Sequence, residues 1–126
     1  MRRHLASLLI VVALTALLPS GALAQAPSQA EAQAVWDAFW GRLAAGDFTG
    51  ARRYVHSAKQ RPWMVADAQL QEQAPQMLYC RIRPGPLPDS ADDVLFEVHC
   101  EHGGETADTL VGFRQDFDGA WRISGM

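Results

Sequence analysis

Positive charge is scarce in this chain, and lysine is almost missing: Lys59 is the only lysine in 126 residues, and arginine supplies the rest. The formal net charge is −3, and it becomes −5 if Arg2 and Arg3 leave with an N-terminal leader, because no acid lies in residues 1–24. An acidic domain of this kind is a poor general partner for nucleic acid or anionic membrane. Cysteine is limited to Cys80 and Cys100. Their separation excludes a Cys-x-x-Cys redox pair, and neither lies near residue 24 to carry a lipid. The longest apolar run, residues 5–18, has fourteen residues and falls short of the roughly 20 that a membrane span needs. His99, Glu101 and His102 with Glu97 match no zinc spacing. No recognised catalytic motif is present, so the expectation is no metal and no cofactor.

Residues 1–24 read as a secretory signal: a basic front at Arg2 and Arg3, the apolar run, and Ala22-Leu23-Ala24 as a small-x-small cleavage site. The protein is therefore expected to be exported, periplasmic or secreted, without stable membrane insertion after cleavage. Residues 25–27 make a short tail and 28–126 a single domain. Two cysteines in an exported chain read first as a disulfide, worth roughly 3 kcal/mol by the loop-entropy model.

Helices come first. Ser28 and Glu31 have the spacing of a capping box. Ala32, Val35, Trp36, Phe39, Trp40 and Leu43 then recur at helical spacing, an arc of about 140° at 3.6 residues per turn. Gly46 stops this helix and Asp47 caps the next, with Phe48, Ala51 and Val55 on its stripe. Pro62 suits the first turn of a third helix, where Trp63, Ala66, Leu70 and Ala74 align before Pro75 ends it. The predicted helices are 28–46, 48–57 and 61–74.

Four strands follow, predicted over 77–83, 93–102, 105–116 and 120–125. Alternation puts Cys80, Ile82, Val94, Phe96, Val98, Cys100, Val111, Phe113, Trp121 and Ile123 on one face. A two-residue Gly103-Gly104 loop pairs His102 with Glu105, Val98 with Thr109 and Phe96 with Val111, keeping the apolar residues together. A two-residue loop at Asp118-Gly119 would send Trp121 to the wrong face. A three-residue loop of Phe117, Asp118 and Gly119 instead sets Ile123 opposite Phe113. Cys80 opposite Cys100 sets Ile82 opposite Val98 and Arg83 opposite Glu97. Helices segregated from antiparallel strands give an α+β class, with the helices on one sheet face.

The run AVWDAFWGRLAAGDFTGA at residues 34–51 and the ending DGAWRI at residues 118–123 resemble the nuclear transport factor 2-like superfamily, to which ketosteroid isomerases and dehydratases belong. The resemblance implies three N-terminal helices on a strongly curved four-stranded sheet, a cone-like half barrel with a pocket at its open end. Trp36, Trp40, Phe96, Thr109, Phe113 and Gln115 would face that pocket as ligand-binding residues. The superfamily's enzymes place acids, tyrosines or histidines inside the cone, whereas here Thr109 and Gln115 are the polar exceptions on an apolar inner face.

Tyr54, His56 and Asp67 are the candidates for acid–base chemistry at a pocket mouth, against their reading as polar residues of a helix surface. Arg52, Arg53, Lys59 and Arg61 form a basic cluster that could steer an anionic ligand, or simply a solvated helix face. The apolar inner face points to a non-catalytic exported domain that binds a small apolar ligand or a protein partner. The alternative is a small cofactor-free isomerase or dehydratase. A third expectation is a homodimer through Tyr79, Leu95 and Leu110 on the sheet surface.

Overall fold

The computed structural model describes residues 26–88 and 92–126. The signal and Gln25 of the tail lie outside the described residues. Among the described residues four helices precede four strands: α1 (Gln29–Ala44), α2 (Phe48–Arg52), α3 (Gln60–Met64), α4 (Asp67–Met77), β1 (Cys80–Ile82), β2 (Val94–His102), β3 (Glu105–Gln115) and β4 (Trp121–Gly125). The strands form one antiparallel sheet in the order β1-β2-β3-β4, with the helices on one face. The sheet is not strongly curled or closed, which corrects the half-barrel expectation.

α1 begins where its capping box predicts. The Glu31 amide donates to Ser28 Oγ at 3.1 Å, and the Ser28 amide donates to Glu31 Oε1 at 3.2 Å, worth about 1 kcal/mol for the serine alone. Its stripe of Ala32, Trp36, Phe39, Trp40 and Leu43 is buried against the inner sheet residues Ile82, Phe96, Val98, Val111, Phe113 and Ile123.

The strand register follows the alternation. Cys80 faces Cys100, Val98 faces Thr109, Phe96 faces Val111 and Phe113 faces Ile123. Gly103 and Gly104 take φ of 61° and 81°, the left-handed pair that a primed hairpin turn requires. Asp116 and Ala120 close the three-residue loop of residues 117–119 through a 2.9 Å backbone bond, with Gly119 at φ 83°. Cys80 and Cys100 are joined as a disulfide across Cα atoms 4.0 Å apart. They occupy a non-hydrogen-bonded pair, where facing side chains lie closest.

The helices depart from expectation in three places. α2 stops at Arg52 rather than 57, because residues 54–56 turn extended and pair with β4: Ile123 donates to the Tyr54 carbonyl and the His56 amide donates to the Ile123 carbonyl, both at 2.8 Å. The third helix is broken between Met64 and Asp67 without a breaker residue. Contacts on either side hold the two pieces, Trp63 against Phe39 with ring centroids 5.8 Å apart and Asp67 on Arg52 at 2.6 Å. Pro75 lies inside α4 instead of ending it; two more residues complete the last turn.

The two outer strands are covered by other parts of the chain. Ile82 of β1 donates its amide to Gln33 Oε1 at 2.7 Å and accepts from Gln29 Nε2 at 2.7 Å, so α1 side chains stand in for a fifth strand. Past β1, the Arg83 and Leu87 amides donate to the Glu97 and Leu95 carbonyls. β4 is covered by Val55 through its parallel bridge to Ile123.

The start of α2 depends on a missing side chain. Asp47 Oδ1 accepts from the Gly50 amide at 2.9 Å, and a Cβ at position 50 would strike the Asp47 carboxylate. Gly50→Ala therefore gains helix propensity worth about 1 kcal/mol only where the cap is already gone. We expect it to be neutral or destabilising in the wild type and stabilising by about 1 kcal/mol in an Asp47→Ala background. Urea denaturation of the four proteins of this cycle measures the coupling.

Candidate functional site

An apolar cavity of about 380 Å³ lies between α1, α3, α4 and the inner face of β3. Its walls are Trp36, Trp40, Trp63, Leu70 and Met77, with Gln73 and Thr109 as polar contributors and Met126 at one side. The α1 stripe supplies two of the three tryptophans because residues four apart share a helix face. A second cavity of about 260 Å³ continues along β3 past Met77 and Thr109 to Ala107, Thr106 and the disulfide. Both fall at the lower end of the size range of small-molecule pockets or below it.

The two α1 indoles differ in their hydrogen bonding. Trp36 Nε1 donates to the Met77 carbonyl at 2.9 Å. Trp40 also lines the cavity, but its Nε1 is buried with no partner, and among the described residues only Ser124 Oγ shares that condition. A buried unmet donor costs about 1–3 kcal/mol.

Of the six residues expected to face a pocket, Trp36, Trp40 and Thr109 line the cavity. Phe96 and Phe113 do not: they pack edge to face at 5.7 Å inside the core and are fully buried. Gln115 is exposed at the opposite end of β3, where its Nε2 donates to the Gly119 carbonyl at 2.9 Å. Trp63 and Leu70 lie on the predicted third-helix stripe, whereas Met77, expected in the first strand, ends α4 instead and joins them at the cavity.

Tyr54, His56 and Asp67 each hold a separate role. Tyr54 is half-buried against the core and gives its carbonyl to β4. Asp67 pairs with Arg52 at 2.6 Å. His56 is buried, its Nδ1 accepting from the Ala58 amide at 3.2 Å and its Nε2 lying 3.8 Å from Asp116. His56 Nδ1 is thus already occupied, and no hydrogen bond joins any two of the three.

Asp116, which the sequence did not single out, organises that corner. It accepts from Ser57 Oγ at 2.9 Å, the Ser57 amide at 3.0 Å, the Phe117 amide at 2.9 Å and Arg122 at 2.8 Å. Burial would raise its pKa, but bonds from Arg122, the Phe117 amide and Ser57 outweigh it and hold the carboxyl well below the usual range. Ser57 bonds the carboxylate and not His56, so the three do not make a nucleophile–base relay. Arg122 also holds Asp118 at 2.6 Å, which ties the β3–β4 turn to the strand.

The outer sheet face carries a charged cluster. His99 sits between Glu101 at 3.0 Å and Asp108 at 2.7 Å, with Arg83 at 3.2 Å from its Nδ1. Hydrogen bonds to Glu101 and Asp108 raise its pKa above the ordinary value. No group of three or more possible ligands able to hold a metal ion occurs among the described residues.

No protein family, curated protein or solved structure matches this chain.

The two clusters predict opposite pH effects. The stability contributed by Asp116 is present above the unfolded value near 3.9 and is lost as pH falls through its depressed native value. That of His99 is present below about 6.5 and is lost as pH rises through its raised native value. Urea midpoints against pH should therefore lose part of their acid-side fall in Asp116→Asn and part of their decline above neutrality in His99→Gln. Asp116→Ala should cost about 3 kcal/mol at neutral pH, because it leaves the groups around a buried charge unpaired.

Proposed function

We propose that this is a non-catalytic, exported binding domain whose site is the tryptophan-lined cavity. It takes a small apolar ligand bearing one hydrogen-bond acceptor. The observation that carries the reading is the apolar, tryptophan-lined cavity, one of whose lining residues, Trp40, has an indole N–H buried without a partner. The reading requires the indole to turn so that this shielded N–H meets an acceptor on the ligand while the ligand's apolar body leaves water. Export is supported by the Cys80–Cys100 disulfide, which suits an oxidising compartment. No helix among the described residues is long and apolar enough to cross a membrane.

The competing reading, a small isomerase or dehydratase, rests on the resemblance to the nuclear transport factor 2-like superfamily. Helices on one face of an antiparallel sheet with a cavity between support that relationship; the open sheet does not favour its full cone. The separate partners of Tyr54, His56 and Asp67 favour binding over chemistry.

The test is native mass spectrometry and tryptophan quenching with small aromatic ketones and their hydrocarbon analogues. Wild type should prefer the ketone, and Trp40→Phe should lose about fivefold to tenfold for the ketone alone, the value of roughly one hydrogen bond. No binding, or equal losses for ketone and hydrocarbon, overturns the reading. Turnover abolished in Tyr54→Phe or His56→Ala with the fold intact would favour the enzyme.

A further inference from the structure

Among the described residues, one stretch of sheet edge has no cover. On the β4 side of β3, pairing begins at Gly112 opposite Gly125, so residues 105–111 have no neighbouring strand there. The side to which each residue's backbone points follows from the ladder. Glu97 and Leu95 of β2 accept from Arg83 and Leu87, away from β3, so the even-numbered residues of β2 bond β3. Their partners are Glu105, Ala107, Thr109 and Val111. Thr106, Asp108 and Leu110 consequently direct both N–H and C=O to the open side, and all three side chains are exposed. Elsewhere the same sheet covers its edges with Gln29, Gln33 and Val55. Beneath the open edge, on the inner face, lie both cavities, which share Thr109 and Met77.

We propose that this edge receives an extended segment of another protein, added as a fifth strand beside Thr106–Leu110. The segment carries an apolar–basic–apolar core. Six backbone groups of β3 supply pairing, and strand addition of this kind is a common mode of peptide recognition. The residue opposite Asp108 lies on the outer face and meets a carboxylate. Its two neighbours alternate to the inner face beside Ala107 and Thr109 and reach the cavities. The basic residue follows from charge. Glu101, Glu105 and Asp108 stand on this hairpin, and the cations near Asp108, His99 and Arg83 at 2.7 and 3.6 Å, approach it from the β2 side. A second copy of this chain fits poorly. The one antiparallel register that uses Thr106, Asp108 and Leu110 of both copies sets Asp108 against Asp108, and like charges directly opposite oppose pairing. The backbone half of the proposal is independent of the ligand reading above; the side-chain half rests on the same cavity.

The probe is a blocked nine-residue peptide with a Leu-Lys-Leu core flanked by threonines, titrated into the full domain. Three controls accompany it: the peptide N-methylated at its lysine amide, a Leu-Glu-Leu peptide, and the Leu110→Pro protein. Proline at 110 removes an N–H that no strand of this chain uses, so circular dichroism and the melting temperature should be nearly unchanged. The parent peptide should bind, and each control should weaken it by about tenfold or more, while ketone binding to Leu110→Pro stays unaltered. Absence of peptide binding, or equal binding by the N-methylated peptide, overturns the proposal. If the ketone still binds, the cavity reading survives alone; if it does not, both fall. Dimerisation that disappears in Leu110→Pro would overturn the choice of partner in favour of a second copy.

Discussion

Backbone hydrogen bonding along the edges of one small sheet is the constraint on which the rest of this structure depends. Four short strands bury one face under α1, but they leave rows of amides and carbonyls that must find partners. The chain meets that need with whatever lies nearby. α1 leans Gln29 and Gln33 over β1, and the end of α2 unwinds so that residues 54–56 can lie beside β4. These contacts also set where α1 sits, and therefore where Trp36 and Trp40 stand relative to β3. The cavity is a consequence of the edge arrangement as much as of hydrophobic packing.

Ionisable groups are largely consumed by the same task. Asp116 with Arg122 holds the β3–β4 turn against residues 56–57, and Asp67 with Arg52 fastens α4 to α2. His99 belongs to a cross-strand cluster on the outer face. What remains around the cavity is apolar surface, two uncharged polar side chains and an indole N–H without a partner. Such a surface suits recognition, since catalysis asks for groups that are both converged and free.

Much of the fold was legible in the sequence, because side-chain alternation and loop length constrain one another. Only a three-residue loop at residues 117–119 keeps Ile123 opposite Phe113, and only the Gly103-Gly104 turn brings Val98 to Thr109; the disulfide follows from the same count. The capping box at Ser28 and Glu31 was equally plain. Features decided by tertiary contact were not. Nothing local stops α2 at Arg52; the pull is Ile123, about seventy positions away. Pro75 reads as a stop signal, yet α4 runs on to Met77 and gives up the one bond that residue 75 would have made to the Gln71 carbonyl. Asp116 was not legible, because a buried carboxylate has no sequence signature apart from its partners, and Ser57 and Arg122 meet it only in the fold. Phe96 and Phe113 had the right face but the wrong depth, since alternation does not say how far along a strand the helices reach. Past Thr109 toward the Gly103-Gly104 turn only the end of α4 comes near, and residues 101–108 of the hairpin are exposed.

The central claim is that β3 alternates between a satisfied side and an open one next to the cavity. Amide hydrogen exchange of the free, monomeric domain tests it most directly. The account predicts that Ala107, Thr109 and Val111, bonded to β2, exchange slowly, while Thr106, Asp108 and Leu110 exchange near the rate of unstructured amides. Protection of Asp108 and Leu110 equal to that of Thr109 would contradict it, because those amides would then have a partner that this structure does not give them.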